Sequence, residues 1–176
     1  MQMIVVAVDW SEHSERAVEL ASDMASKYGA KLVAVHVTPD KPIPSDERHL
    51  AEIEFADEIK KYPGSGLTAK SPGDTSREML NALSEHESKD RALRSIIGDT
   101  LLKRTKRVAQ GKGVESVETV RTEGNVADNI LKAAMARKAD LIVVGSRGMG
   151  ALGEMFLGSV SHKVNQLSDI SVVTVK

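Results

Sequence analysis

The sequence contains no cysteine. That excludes a disulfide framework, a zinc–thiolate site and a cysteine nucleophile. Aromatic residues make up only 3%, too few for the stacking platform on which single-stranded nucleic acid is bound. Net charge is nearly absent as well. The 24 Lys and Arg stand against 25 Asp and Glu, for a formal charge of −1, which removes the electrostatic basis for a nucleic-acid or membrane-surface partner. No apolar run approaches the length of a membrane span. The first, Ile4 to Val8, ends at Asp9 and has no basic leader, so a cytoplasmic address is expected. What is present is 176 residues, 41% apolar and 28% charged, ample for one buried core.

The apolar residues are patterned. Ile4-Val5-Val6-Ala7-Val8 is short, continuous and β-branched, the pattern of a strand buried on both faces of a parallel sheet. Ser11 is positioned to cap a helix whose apolar side chains are Ala17, Val18, Leu20, Ala21, Met24, Ala25 and Tyr28, and Gly29 ends it. Lys31 to Val37 is a second strand. Val117 to Arg121 is a third, weaker one. Asn125 caps a helix with Val126, Ile130, Leu131, Ala134 and Met135 on its apolar face. Leu141 to Val144 is a fourth strand ending at Gly145, followed by a helix marked by Val160, Val164 and Leu167, and Val172 to Val175 is a fifth strand. Alternation of this kind predicts an α/β fold, an open parallel sheet with helices on both faces.

The stretch from Thr38 to Ser116 is far longer than one crossover needs. Leu93, Ile97, Leu101 and Val108 predict a helix over residues 91–108, which Gly98 weakens by about 1 kcal/mol relative to alanine. Before it come Pro39, Pro42 and Pro44, a helix from His49 to Lys61, the breaker Tyr62-Pro63-Gly64-Ser65-Gly66 and a short helix from Ser76 to Ser84. Residues 39–87 thus read as an insertion in a single domain spanning 1–176.

The stretch most informative about chemistry follows the fourth strand: Gly145-Ser146-Arg147-Gly148, nine residues, then Gly158-Ser159. Glycines permit positive φ and let a ligand approach the main chain, and a helix start offers free N–H groups to an anion. One reading is a phosphate held between Gly148 and the Gly158-Ser159 helix start, with Arg147 adding charge. The other is a tight turn after a strand. The spacing is neither a Walker A loop nor GxGxxG. Asp9 follows the first strand, at the end of the sheet where open parallel sheets bind ligands. It faces a base or ribose, or it caps the first helix beside Ser11. His13, His36, His49, His86 and His162 lack metal-ligand spacing, Ser146 is not in a nucleophile elbow, and Lys103-Arg104-Lys106-Arg107 reads as a solvated helix face, with a partner site as the alternative. Met149, Met155, Phe156 and Leu157 are expected to pack or to form part of a dimer surface.

The pattern G-x2-G-x9-G-[S/T], met by Gly145, Gly148, Gly158 and Ser159, resembles the ATP-binding signature of the universal stress protein family. The opening Ile4 to Ser14, the strand Val35-His36-Val37 and the closing Ser171 to Val175 are similar to that family's first, second and last strands. The resemblance covers residues 1–38 and 91–176. It departs at Trp10, Val126 and Ser171, none in the glycine loop. It implies a Rossmann-like five-stranded sheet of order 3-2-1-4-5 that binds ATP, with Mg or Mn carried by the phosphates. It also implies that Asp9 meets adenine or ribose and Val37 meets adenine. Gly145, Gly148, Gly158, Ser159 and Val160 would hold ribose and phosphates. The implied function is a stress-response switch or adaptor with at most slow hydrolysis, working as a homodimer joined through the last strand. A dimeric interaction protein that binds no nucleotide is the alternative. An ATP pyrophosphatase or nucleotidyl-transfer enzyme is disfavoured, because Ser-Gly-Gly-x-Asp-Ser is absent after the first strand.

Overall fold

The computed structural model describes residues 1–40, 43–61, 76–148 and 158–176, apart from the side chains of residues 45–47 and 76–88. Pro42, the Tyr62–Gly66 breaker and the Met149, Met155, Phe156 and Leu157 cluster lie outside the described residues. The elements are β1 (Met3–Ala7), α1 (Glu12–Tyr28), β2 (Lys31–Thr38), α2 (Ser45–Glu54), α3 (Ala56–Lys60) and α4 (Ser76–Gly111). They continue with β3 (Val117–Glu123), α5 (Val126–Ala136), β4 (Leu141–Gly145), α6 (Ser159–Leu167) and β5 (Ser171–Val175). The sheet is parallel throughout, in the order β3-β2-β1-β4-β5, as the resemblance implies.

The three central strands are the continuous apolar runs. Ile4, Val5, Val6, Leu32, Val33, Ala34, Ile142 and Val143 have no exposed surface, and each large aliphatic side chain so buried contributes about 1.5–3 kcal/mol. On one face, Val5, Val33, Val35, Val37, Ile142 and Val144 pack with Ala127, Ile130 and Ala134 of α5 and Val164 of α6. Helix α1 begins at Ser11, whose side chain accepts from Ser14 N–H, and ends at Gly29 in the left-handed conformation, φ 62°, a backbone that glycine adopts without strain. Asn125 caps α5 in the same way as Ser11 caps α1.

Several side chains expected on apolar faces are at the flanks instead. Leu20, Tyr28, Val108, Met135 and Leu167 are all exposed, Met135 by 67%. In α4 the buried positions near the C-terminus are Leu101, Leu102, Thr105 and Ala109, a stripe one position away from Val108. The predicted helix from His49 to Lys61 is two, broken at Phe55. The two predicted helices at 76–84 and 91–108 are one of 36 residues, α4. No breaker separates them, since residues 85–90 contain neither glycine nor proline. Among the described residues no helix is long and apolar enough to cross a membrane.

The chain divides into two compact units, residues 1–40 with 98–176 and residues 41–97. In the second, Ala51, Phe55, Ile59, Leu93, Ile96 and Ile97 are buried, and the buried Asp90 carboxylate is bracketed by Arg48 and Arg94, the latter 3.3 Å away.

Gly98 is explained by the sheet and not by the helix. A Cβ there would lie 2.7 Å from Cδ2 of His36 and 3.1 Å from Cδ of Arg121, so the glycine is what lets α4 seat on β2. Gly98→Ala gains about 1 kcal/mol of helix propensity but overpacks a buried ring, at a cost of about 1–3 kcal/mol. Urea denaturation is expected to show net destabilisation, and a more stable variant would contradict this packing.

Candidate functional site

Strands β1 and β4 are neighbours, in register from Ile4 beside Leu141 to Val6 beside Val143. From β1 the sheet continues to β2, and from β4 to β5, so their C-terminal ends flank the point where strand order reverses. A crevice opens there in sheets of this kind. Two segments leave from it, Val8-Asp9-Trp10-Ser11 after β1 and Ser146-Arg147-Gly148 after β4.

The first is held by its own side chains. Asp9 Oδ1 accepts from the Ser11 N–H at 2.9 Å and from the Ser11 hydroxyl, an Asx-type turn. The Asp9 N–H donates to Ser14 Oγ at 2.9 Å. Ser11 Oγ also lies 3.2 Å from the Arg147 carbonyl, so its one proton is shared between Asp9 and the β4 segment. Asp9 thus supports the start of α1 through Ser11. Oδ1 braces the cap of α1, and Oδ2 points across the crevice, 2.8 Å from where a Cβ of Gly148 would stand.

The second segment is held through Ser146, which is buried. Its N–H donates to the Val175 carbonyl at 2.6 Å, and its carbonyl accepts from Gly158 N–H at 2.7 Å and from Ser161 Oγ at 3.0 Å. Its hydroxyl is 3.2 Å from His13 Nδ1. The chain thus leaves at Ser146 and is tied back to it at Gly158.

The glycines are required for proximity and not for positive φ. Gly158 has φ −61°, and the positive-φ glycines among the described residues are Gly29, Gly113 and Gly124. A Cβ on Gly145 would meet the His13 carbonyl carbon at 2.9 Å and Ser14 N at 3.0 Å. One on Gly158 would meet the Ser146 carbonyl oxygen at 3.2 Å. Gly158 is the N-cap of α6 and no side chain caps that helix, so the N–H groups of its first turn are left for an anion or solvent.

A family model, the universal stress protein family, matches residues 1–176. The chain is 32% identical over 177 residues to the universal stress protein YxiE of Bacillus subtilis, covering 98% of this chain and 97% of that one. The chain belongs to the universal stress protein family. Among solved structures it is similar to a universal stress protein in complex with cAMP, with TM-score 0.61 and 24% identity over 99% of this chain and 97% of that one. It is also similar to the universal stress protein from Archaeoglobus fulgidus in complex with dAMP, with TM-score 0.57 and 20% identity over 100% of this chain and 98% of that one. At these identities the structural likeness establishes the fold.

In this universal stress protein, Asp9, Gly145, Arg147, Gly148 and Gly158 are brought to one end of the sheet. Ser159 is exposed at the start of α6, while Val160 packs against the core. Val37 is buried in the core with 6% exposure. By the β1–β2 register, which pairs Ala7 with Val35, it stands level with Asp9. Ser14, Ser146 and Ser161 escape sequence reasoning as site residues, although the Asp9-x-Ser11-x-x-Ser14 spacing is a signal for two of these ties. Among the described residues no group of three His, Asp or Glu could hold a metal ion. A cleft of about 400 Å³ opens between α1 and the end of α4, lined by Val8, Asp9, Val18, Leu101, Arg104 and Thr105 among others. It includes none of the glycine-loop residues and meets the crevice at Val8, Asp9 and Ser14.

Ser11→Ala removes the cap of α1, one partner of Asp9 and the tie to Arg147. A stability loss of about 1–2 kcal/mol is expected in urea denaturation, with Ser11→Thr recovering most of it. No loss in the alanine variant would mean that the hydroxyl does not bridge the two segments.

Proposed function

We propose that this protein binds ATP in the crevice between the β1 and β4 segments and acts as a nucleotide-dependent switch or adaptor in the cytoplasm. Residues 1–176 then form one nucleotide-binding domain with an insertion after β2. The observation that carries the reading is the approach of Asp9 Oδ2 to Gly148, a carboxylate acceptor facing a bare backbone. Asp9 takes a hydroxyl or amino group of the nucleoside, and Val37 lies beside the base. Gly145, Gly148, Gly158, Ser159 and Val160 offer main chain to ribose and phosphates, Arg147 adds positive charge, and Mg or Mn travels on the phosphates. The relatives bound to cAMP and dAMP support an adenine nucleotide as the ligand class. We assign no catalytic residue, and the reading includes at most slow hydrolysis.

We further propose a homodimer through β5. Strand β5 pairs with β4 alone among the described strands, and an edge with unpaired N–H and C=O groups recruits another strand. The Val175 carbonyl is turned inward, to Ser146 N–H. Alternation along the strand therefore turns the N–H of Val173 inward also and those of Val172 and Thr174 outward.

Asp9→Ala is expected to weaken ATP and AMP alike, by about 1–3 kcal/mol in calorimetry, and a loss confined to ATP would reverse the orientation of the ligand. Gly148→Ala is the sharper test of the loop, since among the described residues, its chain neighbours aside, a Cβ there meets only Asp9 Oδ2 within 4 Å. It should leave the fold intact and reduce ATP affinity at least tenfold. Unchanged affinity would remove the crevice as the site, and absence of nucleotide from the purified, denatured protein by mass spectrometry would favour the nucleotide-free reading. For the dimer, Thr174→Pro blocks the outer edge and spares the β4–β5 ladder. Light scattering should report a dimer for the unmodified protein and for Thr174→Ala, and a monomer for the proline variant. A monomeric unmodified protein would refute the assembly.

A further inference from the structure

Helices α1 and α4 are tied together at one end, where Lys112 Nζ lies 2.8 Å from both carboxylate oxygens of Asp23 and 3.5 Å from the Glu19 carbonyl. Toward the start of α1 they part, and the cleft of about 400 Å³ between them runs up to Val8, Asp9 and Ser14. Its floor is apolar. Val8, Val18 and Leu101 line it and are buried, and Val108, exposed by 39%, lines it as well. Thr105 interrupts this apolar lining. It is 4% exposed, and among the described residues its hydroxyl makes no hydrogen bond. A hydroxyl so buried needs a partner. Ser14 lines the cleft too, and its Oγ accepts from the Asp9 N–H at 2.9 Å, which leaves its own proton to donate.

The walls carry opposite charges. Helix α1 brings Glu15 and Glu19, one turn apart, and α4 brings Arg104 and Arg107. Among the described residues Glu15, Glu19 and Arg107 form no ion pair. A solvated helix face accounts for such charges, but not for a hydroxyl left unpaired beneath them. We propose that this cleft is a binding site for a short zwitterion with an apolar body, the chemical class of amino acids and dipeptides. The ammonium group meets Glu15 and Glu19, and the carboxylate meets Arg107. The apolar side chains lie on Val18, Leu101 and Val108, and a ligand oxygen accepts from the Thr105 hydroxyl. The volume falls within the range of about 300–1,000 Å³ in which small molecules are held. An ion of one sign would leave one charged wall unanswered, so complementarity favours a ligand that carries both. The site does not rest on the ATP reading, although Asp9 borders both openings.

The test is a titration of nucleotide-free protein with leucyl-leucine up to about 20 mM, where even millimolar affinity registers, followed by backbone-amide NMR. Saturable shifts should centre on Val18, Glu19, Thr105 and Val108. N-acetyl-leucyl-leucine and leucyl-leucine amide, each lacking one charge, should bind at least about threefold more weakly. Thr105→Val keeps the side chain's shape and should weaken the dipeptide by about threefold. Arg107→Gln should weaken the dipeptide but not its amide, since only the former has a carboxylate to lose. No saturable shift, equal binding of either singly charged probe, or unchanged affinity in both variants overturns the proposal. Shifts centred on Gly148 and Gly158 also overturn it, because they place the dipeptide in the crevice. ATP titrated into a separate sample decides the nucleotide reading whichever way the dipeptide behaves.

Discussion

The first turn of α1 lies so close to the end of β4 that no Cβ fits between them, and the arrangement of the crevice follows from that approach. With His13 and Ser14 held within about 3 Å of where a Gly145 side chain would begin, Ser11 reaches the Arg147 carbonyl and His13 reaches the Ser146 hydroxyl. Separate the helix from the strand by the thickness of one methyl group and both bonds lengthen past the limit at which a hydrogen bond survives. The two segments that form the crevice are thus one frame, built by contact between a helix start and a strand end. The parallel β1–β4 ladder behind them fixes its depth.

Asp9 is oriented by its own neighbours. Its Oδ1 accepts two bonds from Ser11, which sets the side chain's rotamer. An acceptor already oriented loses less entropy on binding than one that must first be ordered. Gly148 completes the geometry by presenting no Cβ to Oδ2, which stands 2.8 Å from where one would be. The same substitution of proximity for side chain recurs where α4 seats on His36 at Gly98, so glycines set how closely two different helices approach the sheet.

The sheet was legible because its central strands are uninterrupted β-branched runs, which few other environments accept. The caps were legible too, because Ser11, Gly29 and Asn125 each have a local chemical role. The helix of residues 76–111 was not, since its apolar positions are too irregular to join two segments across residues 85–90. Met135 and Leu167 misled for a related reason: helical spacing marks a face, but the sheet covers only its centre. The candidate site was legible as a set of loop residues and not as a network. Ser146 read as neutral because its contribution is largely made by its backbone, to Gly158 and Val175, which no side-chain pattern announces. His36 stood out in the sequence only as lacking metal-ligand spacing, because its partner, the Val8 carbonyl, is likewise backbone.

The bond from Gly158 N–H to the Ser146 carbonyl closes the chain on itself at the base of the glycine loop. Whatever stands between those two residues begins and ends at fixed points. Its length is then free to vary at low thermodynamic cost, since doubling a closed loop adds only about 0.6 kcal/mol. A descendant or an engineer can therefore lengthen or shorten the chain between Gly148 and Gly158 while β4 and α6 keep their places. The Ser146–Gly158 junction is in that sense a socket, a standard fitting that accepts different lengths of chain.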